Sequence, residues 1–146
     1  MAFRDISLTA DDPAFPSFYN LSMAVGDWAP NRKDDVMLVQ FLLREVYKGP
    51  AFDPPLPKPE GEMKVDGIFG PITKRFLFTF QTDMRKRGGL LSADGRADRV
   101  RGFTSSISQT MYTVFFLNIK VNQVRDDFQE LHLAKDIPQE LAFQLF

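Results

Sequence analysis

The stretch that decides the fold is Val65-Asp66-Gly67-Ile68-Phe69-Gly70-Pro71-Ile72-Thr73. Its Asp-Gly pair favours a tight turn, because an Asp side chain accepts a backbone N–H two residues on and Gly tolerates positive φ. Gly70 then suits the N-cap of a helix and Pro71 its first position, where an N–H would have no intrahelical partner. The stretch therefore predicts a turn that leads directly into a helix.

The helix predicted to begin at Pro71 carries an apolar stripe with a four-residue spacing, which is typical of a helix with one buried face. The stripe consists of Ile72, Phe76, Leu77, Phe80 and Met84. Residues 85–87 are basic and suit the negative end of the helix dipole, and two glycines follow them. We therefore expect this helix to end near residue 87.

Upstream, residues 1–30 mix Asp, Pro, Ser, Gly and aromatics without a helical or strand period, which predicts an irregular arm anchored by its aromatic side chains. Residues 31–35 offer several N-caps for a first helix. Its apolar face at helical spacing is Val36, Val39, Leu43 and Val46. Between Lys48 and Glu62 lie five of the ten prolines, so this segment is predicted to be a loop.

Downstream, Asp94-Gly95 repeats the chemistry of the first turn and suggests a second turn into another helix. A long helix is predicted from about residue 104, with Thr104, Ser105 or Ser106 as its N-cap and a face of nearly seven turns. That face is Ile107, Met111, Val114, Leu117, Val121, Val124, Phe128 and Leu131. A strand over residues 112–121 is the alternative, although length and period favour the helix.

A short final helix is predicted after Asp136, Pro138 and Gln139, and it would carry Leu141 and Leu145. The predicted fold class is thus all-α, as one compact helical domain over residues 1–146. Its parts are an irregular arm (1–30), two helices with their turns and a Pro-rich loop (31–103), and a long helix with a short C-terminal helix (104–146).

Bulk composition excludes several classes of protein. The 146-residue chain has a net charge of −1 and no long run of like charge, so it offers no basic surface for nucleic acid. Without cysteine it has no disulfide, thiolate metal site or cysteine nucleophile. No run approaches eighteen apolar residues, and the start lacks the pattern of a signal peptide. We therefore expect synthesis in the cytoplasm and no membrane span.

The pattern Val36-x-x-Val39-Gln40-x-x-Leu43, then Asp66-Gly67-Ile68-Phe69-Gly70-Pro71-x-Thr73 and Phe80-Gln81, resembles the peptidoglycan-binding domain of the PG_binding type. The resemblance covers roughly residues 25–91. It implies a three-helix core of the kind that accompanies catalytic domains in cell-wall hydrolases. Phe76 stands where the family commonly has a small residue, and neither the Pro-rich insertion at 49–60 nor the chain after Met111 belongs to the small module.

The resemblance and the residue types together give two sets of candidate residues. The structural motif is Gln40, Asp66, Gly67, Gly70, Pro71, Thr73, Phe80 and Gln81. The candidate binding residues are Trp28, Tyr47, Asp66, Phe69, Arg75 and Phe78. We expect the two glutamines to tie loop backbone groups, since half-buried amides need partners.

Several of these residues have competing interpretations. Asp66, Gly67, Gly70 and Thr73 are favoured as turn and helix-start residues over ligand contacts. Trp28 and Tyr47 could stack on sugars, although lone aromatics near helix ends are more often packing anchors. Phe78 lies off the predicted stripe, and coverage by another segment of the chain, for example the long helix, is favoured over a role in an interface.

Catalytic chemistry has little support in the sequence. His132 is the single histidine and has no second His or Cys for a zinc site, so no metal is expected. The acid pairs at 34–35 and 126–127 are adjacent and point to different helix faces. No nucleophile signature is present. We expect no enzyme activity and no cofactor.

The function that follows from the resemblance is non-catalytic binding of peptidoglycan, which would anchor the protein or a partner to the cell wall. Without a signal peptide, delivery would depend on phage lysis or a signal-independent secretion device. The alternative is a protein–protein adaptor or structural subunit of a phage or injection apparatus that keeps the fold without the wall ligand, either with a partner or by self-association.

Overall fold

The computed structural model describes residues 2–6, 17–49, 51–101 and 111–145. The helices are α1 (Lys33–Lys48), α2 (Pro71–Lys86), α3 (Thr113–Val124) and α4 (Gln139–Ala142), with a 3₁₀ helix at Phe128–Leu133 between the last two. The strands are β1 (Phe3–Ile6), β2 (Ser17–Asn20), β3 (Val25–Gly26) and β4 (Arg96–Ala97).

The prediction of an all-α fold is wrong, because the described residues are about 44% helix and 11% strand. It forms two small antiparallel sheets, β1 with β2 and β3 with β4. The first runs from Phe3 opposite Asn20 to Ile6 opposite Ser17. The irregular arm predicted over residues 1–30 is therefore also wrong, since three strands lie within it.

Strand β2 is held by aromatic packing on the helical part of the molecule. Phe18 meets Phe115 of α3 edge to face with ring centroids 5.2 Å apart, and Tyr19 meets Phe128 in the same way at 5.2 Å. Both strand aromatics are buried. Because β2 is covered on both faces, it has no alternation of polar and apolar residues that would mark it in the sequence.

One side chain of α3 closes the edge of β2. The Asn118 side chain accepts a hydrogen bond from the Tyr19 N–H (2.7 Å) and donates one to the Tyr19 carbonyl (2.9 Å). It also donates to the Val114 carbonyl at 2.8 Å. A neighbouring strand would use the same pair of backbone groups, so this fully buried amide joins the N-terminal hairpin to α3.

Helix α1 lies at the centre and contacts α2, α3, α4 and β3. Its predicted face is buried, and so are Met37 and Phe41, which lie off the centre of that face. Asp35 is also buried, and its carboxylate accepts hydrogen bonds from the backbone N–H groups of Ser22 and Met23 and from the Ser22 hydroxyl. These three bonds satisfy a buried charge and fix the chain that leads into α1.

Helix α2 begins as predicted, with Gly70 at the N-cap and Pro71 at the first helical position. It ends at Lys86, with two cations in its last turn. Four of the five predicted stripe residues are buried, but Ile72 is 38% exposed. Ile72 therefore lies at the edge of the core, while Thr73 in the same turn is buried.

The predicted long helix from residue 104 is wrong in its extent. Helix α3 covers only twelve residues, Thr113–Val124, and the 3₁₀ helix follows after a break. Residues 104–107 lie outside the described residues. The break occurs at Arg125, which has extended backbone angles (φ −126°, ψ 117°) and a guanidinium group bonded to carboxylates of α1 and of the following loop. The helical interpretation of residues 113–121 is confirmed.

The short final helix is confirmed as α4, with Pro138 at its N-cap, but it ends at Ala142, so Leu145 lies beyond it. Leu141 and Leu145 are both fully buried. Within the described ranges, no helix is long and apolar enough to span a bilayer.

Candidate functional site

Gln40 of α1 organises the first Asp-Gly turn. Its Oε1 accepts hydrogen bonds from the N–H groups of Asp66 (3.0 Å) and Gly67 (2.9 Å). Its Nε2 lies 2.9 Å from Asp66 Oδ1, 3.0 Å from the Ile68 carbonyl and 3.0 Å from Thr73 Oγ1. One buried amide thus joins the turn, the loop after it and the first turn of α2.

Gln81 of α2 repeats this arrangement at the second Asp-Gly turn. Its Oε1 accepts from the Gly95 N–H (2.8 Å), and its Nε2 donates to the Arg96 carbonyl (2.9 Å) and to Thr113 Oγ1 (3.0 Å). The Asp94 carboxylate accepts from the N–H two residues on, as Asp66 does. The predicted second turn and the predicted bonds of both glutamines to loop backbone groups are confirmed. The prediction that the second turn leads into a helix is wrong, because strand β4 follows it directly.

The Thr of the second arrangement was missed by sequence reasoning, which placed a helix start at residues 104–106. Thr73 follows Asp66 by seven residues, whereas Thr113 follows Asp94 by nineteen. Because the intervening chain differs so much in length, spacing gives no signal for Thr113. Only the position of its hydroxyl beside Gln81 identifies its role.

The hydrogen bonds at the first turn also affect the Asp66 carboxyl. Its pKa is lowered chiefly by the hydrogen bond from the Ile68 N–H, with a further contribution from the Gln40 side chain. Asp66 is exposed, and it therefore presents a negative charge at the surface of the turn. The Asp66 carboxylate stabilises the turn and is also accessible to a ligand.

We expect Gly67→Ala to destabilise the protein more than Gly95→Ala. Both glycines have positive φ, +77° and +71°, which costs an Ala about 1 kcal/mol. At Gly67 a Cβ would also collide with Lys33 Cγ and lie 3.0 Å from the Lys33 carbonyl oxygen, whereas at Gly95 the nearest atom is 3.9 Å away. Urea unfolding should give a loss of about 1 kcal/mol at Gly95 and about 2–3 kcal/mol at Gly67. Equal losses would contradict the close approach of α1.

Two exposed aromatics, Trp28 and Phe78, lie on the loop after β3 and on α2, two segments that the Asp27–Lys74 ion pair joins, and we term these two residues the aromatic surface. Trp28 is 100% exposed and Phe78 is 49% exposed. Asp27 forms a 2.6 Å ion pair with Lys74, one helical turn before Phe78. Phe78 lies against Gly95, which in turn approaches Gly26 at the strand pair β3–β4. The predictions that Trp28 is a packing anchor and that Phe78 is covered are both wrong.

The loop that carries Trp28 is well defined by hydrogen bonds. Ala29 N–H donates to the Gly26 carbonyl (3.2 Å), and the Asn31 side chain both accepts from the Gly26 N–H and donates to its carbonyl, each at 2.8 Å. Within this turn Trp28 adopts φ +60°. A bulky residue in the left-handed region is a conformational outlier, and such outliers concentrate at functional sites.

The remaining candidate residues lie around the Pro-rich loop. Asp66 lines a shallow groove of about 330 Å³ with Gln40, Lys64 and Thr73, and the exposed Ile68 and Ile72 form its apolar part. Arg75 donates to the Glu60 carbonyl at 2.9 Å. Phe69 packs against the core, so its ring is a structural contact. Glu62 lines both this groove and the pocket at Tyr47, so the two are neighbours.

Among residues 2–6, 17–49, 51–101 and 111–145, no group of three His, Cys, Asp or Glu side chains could hold a metal ion. No protein-family model, curated protein or solved structure matches the chain.

Proposed function

We propose that this chain is a non-catalytic peptidoglycan-binding protein that anchors itself or a partner to the cell wall. The observation that carries the proposal is the aromatic surface. A large apolar side chain that stays in water loses the roughly 1.5–3 kcal/mol of folding free energy that its burial would contribute. The left-handed backbone conformation of Trp28 costs about 1–2 kcal/mol more. A residue that carries both costs is best explained by a ligand that covers its ring.

The surroundings of Trp28 suit a sugar chain. Aromatic faces pack against the apolar faces of sugar rings, and nearby polar groups hydrogen-bond the hydroxyls. Asp27 and Lys74 supply such groups, with both side chains more than half exposed. The resemblance of residues 36–81 to wall-binding modules supports peptidoglycan as the source of the glycan.

We expect Trp28→Ala to reduce co-sedimentation with purified sacculi at least about tenfold, while the midpoint of thermal unfolding stays within about 2 °C. Because Trp28 is fully exposed, removal of its ring costs little folding energy, whereas a stacked aromatic is a common binding hot spot. Phe78→Ala should also reduce co-sedimentation with sacculi, but by a smaller factor.

The matched control is Phe143→Ala, which removes an aromatic that is 59% exposed but lies after α4 and outside the aromatic surface. Wild-type binding that is undetectable at low salt would overturn the proposal. Equal losses for Trp28→Ala and Phe143→Ala would overturn the assignment to the aromatic surface.

A second function, as an adaptor or structural subunit, is favoured by a different observation. Leu133 is 66% exposed and Phe143 is 59% exposed, and they lie at the ends of two elements that contact each other, the 3₁₀ helix and α4. Light scattering after size-exclusion chromatography tests this function as self-association. A dimer that Leu133→Ser with Phe143→Ser converts to a monomer would support it, and a monomeric wild type would argue against it.

A further inference from the structure

A small pocket lies between the C-terminal half of α1 and the Pro-rich loop. Its volume is about 230 Å³, below the roughly 300–1,000 Å³ that whole drug-sized ligands occupy. We term it the Tyr47 pocket. Its size fits one terminal group of a longer ligand.

The polar rim of the Tyr47 pocket is positively charged. Arg44, Lys48 and Lys58 line it together with one carboxylate, that of Glu62. Glu45 lies 3.5 Å from Arg44 and 4.0 Å from Lys48 and bonds more closely to Arg125. Arg44 also donates to the Asp136 carbonyl. Lys58 has no ion-pair partner within the described part of the chain. Glu45 and Asp83 lie near the pocket but do not line it. The lining itself carries three cations and one carboxylate, which favours an anionic ligand.

The Tyr47 hydroxyl is a buried donor without an acceptor among the described residues. Burial raises the pKa of this hydroxyl well above its ordinary value, and the charge of Asp83 adds to the shift. The group therefore stays protonated at neutral pH and can only gain by meeting an acceptor. An unsatisfied buried hydroxyl costs roughly 1–3 kcal/mol, and such groups call for a specific explanation.

The floor of the pocket is apolar. Met63 and Phe76 line it and are both buried, and the Tyr47 ring packs edge to face on Phe76 with centroids 5.4 Å apart. An apolar floor beneath a cationic rim suits a carboxylate attached to a small apolar group. The C-terminal residue of a short peptide with a small side chain has this form.

We propose that the Tyr47 pocket binds the C-terminal carboxylate and last apolar residue of a short peptide. The choice of the wall stem peptide as that peptide rests on the proposed function. The aromatic surface would then bind the glycan and the Tyr47 pocket the peptide, two chemically different parts of one polymer.

The test is an NMR titration of the full chain with N-acetyl-D-alanyl-D-alanine and, separately, with its C-terminal amide. We expect saturable shifts at residues of the Tyr47 pocket for the acid, and at least tenfold weaker binding for the amide. Equal binding of acid and amide, or no binding of the acid, would overturn the proposal. The L,L acid is a third ligand, and tighter binding of it would overturn the assignment to wall peptide in favour of a protein C-terminus.

Two variants of pocket residues and one charge-matched control test whether the Tyr47 pocket itself binds the acid. Tyr47→Phe should weaken binding of the acid about three- to tenfold, the equivalent of one hydrogen bond, while thermal stability stays equal or rises because an unsatisfied polar group is removed. Lys58→Glu should weaken binding about tenfold. Lys86→Glu makes the same change of charge at an exposed residue in the last turn of α2, outside the pocket lining, and should leave affinity within about twofold.

Sacculus binding distinguishes the two proposals. If sacculi bind but the acid does not, the peptide pocket is wrong and the proposed function stands. If the acid binds but sacculi do not, the carboxylate pocket stands and its assignment to the wall is wrong. A Tyr47→Phe variant that is both less stable and weaker in binding would assign the hydroxyl a structural role and overturn its role as a ligand donor.

Discussion

Replacing Gln40 or Gln81 by Leu is expected to lower the free energy of unfolding by about 3 kcal/mol at either position. Leu nearly preserves the volume but removes an amide whose partners lie on two segments of chain. At Gln81 the partners are the Gly95 N–H, the Arg96 carbonyl and the Thr113 hydroxyl. Each buried group left without a partner costs roughly 1–3 kcal/mol. Urea unfolding followed by circular dichroism measures the loss.

Gln123→Leu is the control, because Gln123 is an exposed helical glutamine with a single weak contact, 3.5 Å from Lys120. It should change stability by no more than about 0.5 kcal/mol. A double-mutant cycle of Gln81→Leu with Thr113→Val should give a coupling energy of about 1 kcal/mol. Additive effects, or a Gln81→Leu loss as small as that of Gln123→Leu, would contradict the proposed role of this amide.

The parts of the fold that were predictable from sequence are those set by neighbouring residues. The turn at Asp66-Gly67, the start of α2 at Pro71 and its echo at Asp94-Gly95 depend on residue types whose backbone preferences act over two or three positions. The two glutamines were also predictable, since a buried amide beside an Asp-Gly turn needs backbone partners.

The parts that were not predictable depend on contacts between distant segments. Strand β2 is set by Phe115, Asn118 and Phe128, about a hundred residues away. The end of α3 coincides with Arg125, which bonds to Glu45 eighty residues earlier in the chain. The 3.5-residue period continues past this position, so periodicity indicates which residues are buried but not where the helix ends.

The exposure of Trp28 and Phe78 has the same explanation. An aromatic residue in a sequence carries no sign of whether another segment will cover it. In this chain, α3 packs on β2 and α1, which leaves Phe78 outside the core. The candidate site was thus predictable in its residue types, whereas its division into an aromatic surface and a separate Tyr47 pocket required the structure.

Arg125→Met is expected to lower the free energy of unfolding by about 3 kcal/mol at neutral pH. The Arg125 guanidinium is 13% exposed and bonds in bidentate fashion to both Asp127 and Asp136, while also donating to Glu45, which is 5% exposed. It stacks over Phe41 with its Cζ 5.4 Å from the ring centroid. Removing one partner of a buried ion pair costs roughly 3–5 kcal/mol, and the partial exposure here favours the lower end.

Arg96→Met is the matched control, because Arg96 also pairs with an Asp two residues on, at 2.8 Å, but both side chains are more than 40% exposed. Its loss should stay below about 1 kcal/mol. A loss for Arg125→Met no larger than this would show that the three carboxylates are held by other contacts. Urea unfolding at pH 7 gives both values.

The pH dependence of the Arg125→Met effect separates charge from packing. Hydrogen bonds from Arg125 lower the pKa of both Asp127 and Asp136 below the ordinary value of 3.8. A depressed folded-state pKa means that the stabilisation is complete above the unfolded value and is lost as pH falls through the folded value. The difference in unfolding free energy between wild type and Arg125→Met should therefore be constant from pH 7 to about 5 and shrink below about pH 4. A difference that stays constant down to pH 2 would assign the loss to packing on Phe41 instead of to the ion pairs.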